Sequence, residues 1–166
     1  MEQKKTEILN SLLKELGSFV IAFSGGLDSS CLVYHASRIK NIRFTAVTIR
    51  TPYIPEREIN EAVEFASAHS ADHKIINISF PEEIRQNPED RCYLCKRRLF
   101  NHLTCFAREN GFKYLVDGTN SDDTKEYRPG LRALRELEVR SPLAEAGLSK
   151  REIRELCKNA GLQIWD

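Results

Sequence analysis

Ser24-Gly25-Gly26-Leu27-Asp28-Ser29-Ser30 follows the apolar run Phe19–Phe23 and precedes Cys31–Ile39, whose apolar residues recur at helical spacing. This order reads as a strand, a tight glycine turn and a helix N-terminus. Backbone N–H groups of such a turn can converge on one anion, and the helix dipole adds partial positive charge there. Gly25 and Gly26 permit positive φ and close backbone approach, and Ser24 and Ser29 add hydroxyl donors. A bare phosphate would repel Asp28. The carboxylate therefore points to a Mg²⁺ ion between it and a polyphosphate.

Working outward, helical spacing of Ile8, Leu9, Leu12, Leu13 and Leu16 predicts a first helix stopped by Gly17. Strands are expected at Phe19–Phe23, Phe44–Ile49, Lys74–Ile78 and Tyr114–Asp117, with a last one at Val139. Helices are expected after the glycine turn to about Lys40, and at Glu56–His69, Cys92–Asn110 and Pro129–Leu137. Ser149 and Glu152 form a capping box for a final helix ended by Gly161, and Ser79 and Glu82 have the same spacing. Glu83–Asp90 reads as an exposed loop. Strands alternating with helices imply an α/β fold, a doubly wound parallel sheet with helices on both faces. In such a sheet the ligand crevice lies beyond the carboxyl ends of the strands, at the topological switch point. The Ser24–Ser30 loop and the Gly118–Asp123 loop both follow strands and can share it.

A length of 166 residues suits one domain, residues 1–166, and neither a repeat nor a linker interrupts it. Apolar content of 41% and charged content of 30% are ordinary for a globular chain. Net charge of +1 gives no global attraction to nucleic acid or anionic membrane. Arg91, Arg97, Arg98, Arg128, Arg132 and Arg135 read as a solvated basic face, with Arg128 set apart. No apolar run is long enough to span a membrane, and the N-terminus lacks a signal-peptide core, so a cytoplasmic setting is expected. The five cysteines are then expected to stay reduced, with Cys31, Cys105 and Cys157 packed in the core.

Three further constellations carry chemistry. Asp117-Gly118-Thr119-Asn120 ends a strand, where Gly118 allows close approach to a ligand; Asp122 or Asp123 could share Mg²⁺ with Asp28. Arg128 stands before Pro129-Gly130, a stiff segment from which a guanidinium could bind two oxygens of a developing phosphate charge. Cys92-x-x-Cys95 lies at a helix start beside Arg91 and Lys96, a setting that favours thiolate. The pair reads as half a metal site, a redox pair, a sulfur carrier or a buried inert pair. His69 and His73 read as structural.

No Walker lysine follows the glycine turn. The string Ser-Gly-Gly-x-Asp-Ser instead resembles the PP-loop of the N-type ATP pyrophosphatases, adenine nucleotide alpha hydrolase-like proteins that adenylate a substrate and release pyrophosphate. Arg91-Cys92-Tyr93-Leu94-Cys95-Lys96, Asp117–Asn120 with Asp122-Asp123, Arg128-Pro129-Gly130, Ser141-Pro142-Leu143, Gly147–Lys150 with Glu152-Ile153-Arg154, and Trp165-Asp166 resemble the LarE family of ATP-dependent sacrificial sulfur transferases. The resemblance implies ATP and Mg²⁺ as cofactors, a small-molecule carboxylate as substrate, and a homo-oligomer. It implies nucleotide binding by Ser24, Gly25, Gly26, Leu27, Asp28, Ser29, Ser30, Gly118, Thr119 and Arg128, metal binding by Asp28 and Asp123, and catalysis by Asp28 and Arg128. The family's sulfur donor lies beyond the Trp-Asp segment. The expectation is that a second polypeptide supplies it, that Cys92 or Cys95 carries persulfide sulfur, or that ammonia serves as nucleophile. A tRNA-thiolating enzyme and a non-catalytic nucleotide-binding module are the remaining alternatives.

Overall fold

The computed structural model describes residues 2–79, 82 and 85–164. Helix α1 (Glu2–Leu16) leads to β1 (Ser18–Ala22), α2 (Leu27–Ser37), β2 (Arg43–Arg50), α3 (Glu56–Ala68), β3 (His73–Asn77), α4 (Arg91–Glu109) and β4 (Tyr114–Val116). A 3-10 turn at Asp123–Lys125 and helices α5 (Pro129–Glu136), α6 (Pro142–Glu145) and α7 (Lys150–Asn159) complete the chain. The four strands are parallel in the order β3-β2-β1-β4. The chain winds from β1 to β2 and β3, then returns to pair β4 on the other side of β1. The switch point is therefore between β1 and β4, and the loops leaving those strands face one another.

Alternation along β1 explains why both faces are covered. Phe19, Ile21 and Phe23 pack in a core with Leu9 and Leu13 of α1, Leu32 and Val33 of α2, Ala62 of α3 and Ile153 of α7. Val20 faces the other way and packs with Val47, Leu115, and Leu103 and Ala107 of α4. Helix α2 is buried at Leu27, Ser29, Ser30, Cys31, Leu32, Val33 and Ala36. Its apolar circumference is wider than one stripe because it packs on the sheet, α1 and α7 together.

The expected doubly wound parallel sheet is present, with differences in detail. Helix α2 begins at Leu27, so Asp28, Ser29 and Ser30 form its first turn and are not a loop ahead of it. Val139 is not on a strand. Its neighbour Arg140 makes an isolated parallel bridge to Val116, donating its N–H to Leu115 O and accepting from Asp117 N–H. One bridge suffices to pin the chain here because Ser141 and Pro142 turn at once into α6. Cys31 and Cys157 are buried as expected, whereas Cys105 is exposed. The apolar stripe of α4 runs through Leu103, Phe106 and Ala107, which leaves position 105 on the outer side. His69 packs its ring against Phe65 and Tyr34, and His73 shares a hydrogen bond with Thr48 Oγ1, both structural. Phe80 and Pro81 of the Ser79–Glu82 capping spacing, Glu83 and Ile84 of the expected loop, and Trp165-Asp166 lie outside the described residues. Among the described residues, no helix is long and apolar enough to cross a membrane.

Candidate functional site

Gly26 caps α2 with extended backbone and no side-chain cap bond, so the first N–H groups of the helix keep their donor capacity. Gly25 has φ +81°, and a Cβ there would meet Ala62 of α3 at 3.3 Å. The hydroxyls of Ser24 and Ser29 are 3.2 Å apart, and Ser29 also donates to Gly26 O. Ser30 is fully buried and donates to Gly25 O at 3.2 Å, which shapes the turn from behind.

The loop after β4 presses directly on this turn. A methyl group at Gly118 would sit 2.9 Å from the Ser29 nitrogen and 3.2 Å from Asp28 Cβ, so only glycine fits. Asp117 is buried and accepts hydrogen bonds from the hydroxyls of Thr119 (2.6 Å) and Ser141 (2.7 Å). Asn120 Oδ1 accepts the N–H groups of Asp122 and Asp123, while its Nδ2 donates to Asp28 Oδ2 at 3.4 Å.

Between the two loops lies a cavity of about 410 Å³, within the range of small-molecule sites. Ser24, Gly26, Leu27, Asp28, Ser29, Gly118, Thr119 and Asp123 line its polar end. Val47, Ile49 and Ile54 with Leu99 and Phe100 of α4 give it an apolar wall. The geometry thus joins eight of the residues to which the sequence reading gave a binding or metal role. Gly25 and Ser30 support the turn from outside the lining.

Asp28 carries the electrostatics. Lys150 Nζ, from the first residue of α7, lies 3.1 Å from Asp28 Oδ2. Asp28 Oδ1 is buried and has no hydrogen-bond partner. Burial pushes the Asp28 carboxyl above its ordinary value; the Lys150 and Asn120 contacts hold part of that rise back. An orphaned carboxylate oxygen inside a cavity fits a cation. Asp123 supplies a second carboxylate on the same wall, with Oδ1 2.7 Å from Arg128 Nη1. Two carboxylates suit Mg²⁺, which keeps water and phosphate oxygens for its other positions. Asp122 turns away: its Oδ2 accepts the Lys150 N–H and its Oδ1 lies 3.3 Å from Lys125 Nζ.

Arg128 stands outside this cavity. Its guanidinium is half exposed and divided between Asp123 and Glu126. Cys92 is exposed and Cys95 half-buried; neither lines the cavity. Both precede Lys96 and Leu99 by one helical turn on the face of α4 that does line it. The Cys95 sulfur is 3.6 Å from the Tyr53 hydroxyl, next to the lining residue Ile54.

Lys150, Lys96 and Asn120 lie in strings that the sequence reading quoted, but none of them was given a role at the site. The capping box accounted fully for the Lys150 segment. Its side chain reaches the cavity because Glu152, bonded to Ser149 and to Lys5 Nζ at 2.7 Å, anchors the start of α7.

The asparagine synthase family model matches residues 10–99. An uncharacterised protein of Synechocystis is 36% identical over the full chain, which spans 63% of that protein. The pyridinium-3,5-bisthiocarboxylic acid mononucleotide synthase of Lactiplantibacillus plantarum is 30% identical over 98% of the chain and 60% of its own length. The chain thus spans about three fifths of the curated relatives it matches. The ammonia-dependent NAD synthetase of Campylobacter jejuni superposes with a TM-score of 0.75 at 19% identity, over 98% of this chain and 75% of that one. That likeness shows the adenine nucleotide alpha hydrolase fold.

Proposed function

The chain belongs to the asparagine synthase family of PP-loop ATP pyrophosphatases, and on that premise we propose that it adenylates a small-molecule carboxylate, releasing pyrophosphate. The observation that carries this reading is the abutment of the Ser24–Ser30 turn on Gly118, with Asp28 and Asp123 on one cavity wall. The apolar wall of Val47, Ile49 and Phe100 suits an adenine ring. The helix N-terminus at Leu27 and the Ser24 and Ser29 hydroxyls suit the phosphates.

Asp28 and Asp123 would hold Mg²⁺, which when bound supplies positive charge beside the phosphates. Each of these carboxylates is paired with a cation of the chain, Lys150 for Asp28 and Arg128 for Asp123. Phosphate oxygens offer both cations a second partner. An oxygen of the substrate carboxylate attacks the α-phosphorus, a P–O bond forms, and the bond to the β-phosphate oxygen breaks. Pyrophosphate leaves with the electron pair, and Lys150 and Arg128 balance the charge that develops on it. The acyl adenylate is then open to a nucleophile.

Sulfur is one such nucleophile. Cys92 is exposed one helical turn from the cavity-lining Lys96, which favours a persulfide there. Its outer sulfur displaces AMP from the acyl adenylate, and the Cys95 thiol then opens the S–S bond to leave a thiocarboxylate and a Cys92–Cys95 disulfide. Ammonia is the other. Replacing both Cys92 and Cys95 by serine separates them: a sulfur carrier keeps pyrophosphate release and loses thiolated product. The adenylation reading itself is tested by calorimetry of Mg·ATP binding to wild type and Asp28→Asn. Equal affinities would remove Asp28 from the site.

A further inference from the structure

A second hollow, of about 830 Å³, lies where α1 and α2 end and the chain turns into β2. Lys14 of α1, Tyr34 and His35 of α2, and Arg38 and Lys40 of the turn are among its walls. It shares no lining residue with the first cavity. Helix α2 joins the two. Its first turn belongs to the Ser24–Ser30 segment and its last turn to this hollow, 11 residues or about 16 Å along.

The charge of this lining is one-sided. Lys14, Arg38 and Lys40 bring three permanent cations, and no Asp or Glu lines the hollow. The whole chain carries 25 basic and 24 acidic residues, so the imbalance is local. Glu15, next to Lys14 in sequence, acts on Arg140 instead. None of the three cations makes an ion pair among the described residues. Lys14 in the last turn of α1 and Arg38 at the end of α2 also balance the carbonyl ends of those helices. Each helix end offers about half a negative charge, which leaves the hollow a surplus of about two positive charges.

The walls are held before anything binds. The Arg38 guanidinium lies 4.9 Å from the Tyr34 ring centre, and His35 Nδ1 lies 3.1 Å from Asn10 Oδ1, which ties α2 to α1. Burial, and then Arg38, push the His35 imidazole below its ordinary value. Lys14, Tyr34, Arg38 and Lys40 are the charged and titratable groups that share the hollow with it, and His69 of α3 packs on Tyr34. An anion among them opposes the Arg38 effect, so the His35 titration reports occupancy.

We propose that this hollow binds a compact polyanion with linked phosphate groups, either free pyrophosphate or the phosphate tail of a nucleotide. Its three cations stand on three segments of the chain, so a ligand must offer oxygens on more than one side. Linked phosphates do so, and a single carboxylate does not. The proposal goes beyond the adenylation reading and does not depend on it.

Pyrophosphate is the probe, with sulfate at matched ionic strength as the control. Each is titrated into ¹⁵N-labelled full chain in EDTA, which suppresses metal-dependent binding at the Ser24–Ser30 turn. Pyrophosphate is expected to shift the resonances of Lys14, Arg38 and Lys40 saturably, with a Kd of about 0.1–1 mM, and sulfate to bind at least about fivefold more weakly. The His35 ring should titrate about half a pH unit or more higher with pyrophosphate bound. Lys14→Gln, Arg38→Gln and Lys40→Gln together, all at exposed positions, should weaken binding at least about tenfold while melting within a few degrees of wild type. ATP in EDTA is the second arm. Equal or tighter binding than pyrophosphate, at the same cations, assigns the hollow to the phosphate tail of a nucleotide; weaker binding assigns it to free pyrophosphate. Equal response to pyrophosphate and sulfate, shifts confined to the Ser24–Ser30 turn, an unmoved His35 titration, or unchanged affinity in the triple variant would overturn the proposal. Tighter binding of a hexaglutamate peptide than of pyrophosphate would also overturn it and give the hollow to an acidic protein segment. Mg·ATP binding at the turn is read separately through Asp28→Asn, so failure of one reading leaves the other standing.

Discussion

Lys150 Nζ lies 3.1 Å from Asp28 Oδ2, a contact between residues 122 positions apart that closes the polar end of the cavity. It links the first turn of α2 to the first turn of α7. It also holds back part of the rise that burial imposes on the carboxylate best placed for a metal.

A pH dependence follows from this pair. Burial raises the Asp28 pKa, and Lys150 lowers it in part. Metal-dependent nucleotide binding needs the carboxylate, so it should fade as pH drops through that raised value. Lys150→Met removes the opposing cation and should move the midpoint to higher pH. Calorimetry of Mg·ATP binding between about pH 4 and 8 reads both midpoints. Identical midpoints would show that the two side chains are not coupled.

Two glycine substitutions separate strain from crowding. Gly161 has φ +72° and open space around it, so Gly161→Ala should cost about 1 kcal/mol of stability through backbone strain alone, leaving nucleotide affinity intact. Gly118→Ala drives a methyl group to within 2.9 Å of the Ser29 nitrogen. It should cost about 1–3 kcal/mol and weaken Mg·ATP binding at least tenfold, because the two loops must part. Chemical denaturation and calorimetry on both variants provide the comparison.

Glu152 contributes to acid stability. Its hydrogen bond with Lys5, followed by the Ser149 N–H, lowers its pKa from 4.5 to about 2. A carboxylate depressed in the folded state stabilises it above the unfolded pKa, and this is lost as pH falls through the folded value. Urea midpoints of the wild type should therefore drop between pH 4.5 and about 2, beyond the drop seen in Glu152→Gln. Parallel profiles would exclude this role.

The cysteines should react in order of exposure. The Cys157 contact and burial push the Cys31 thiol well above its ordinary value. Timed alkylation followed by mass spectrometry should modify Cys92 and Cys105 first, Cys95 later, and Cys31 only on unfolding. Early modification of Cys31 would contradict the buried position of α2.

Much of this arrangement was legible in the sequence because it is local. The Ser24–Ser30 turn, the strand before it and the alternating helices follow from periodicity and glycine placement. Gly118 was legible as a point of close approach, although its neighbour there is the Ser29 backbone. Lys150 was not, because its local signal was that of a capped helix and its partner is 122 positions distant. Arg128 was legible as a stiffly held cation, but its direction depends on Asp123 and Glu126. Cys105 was placed inside because it falls mid-helix; the phase of the α4 stripe decides otherwise. Val139 looked like a strand residue because β-branching does not reveal that the ladder is one bridge long.

The central claim is cleavage of ATP between the α- and β-phosphates in the cavity closed by Asp28, Gly118 and Lys150. ³¹P NMR of Mg·ATP incubated with the chain and a panel of small-molecule carboxylates tests it most directly. The account predicts AMP, or the acyl adenylate, and pyrophosphate appearing in equal amounts, with Asp28→Asn suppressing both. Release of ADP and orthophosphate, or unchanged pyrophosphate release by Asp28→Asn, would contradict it.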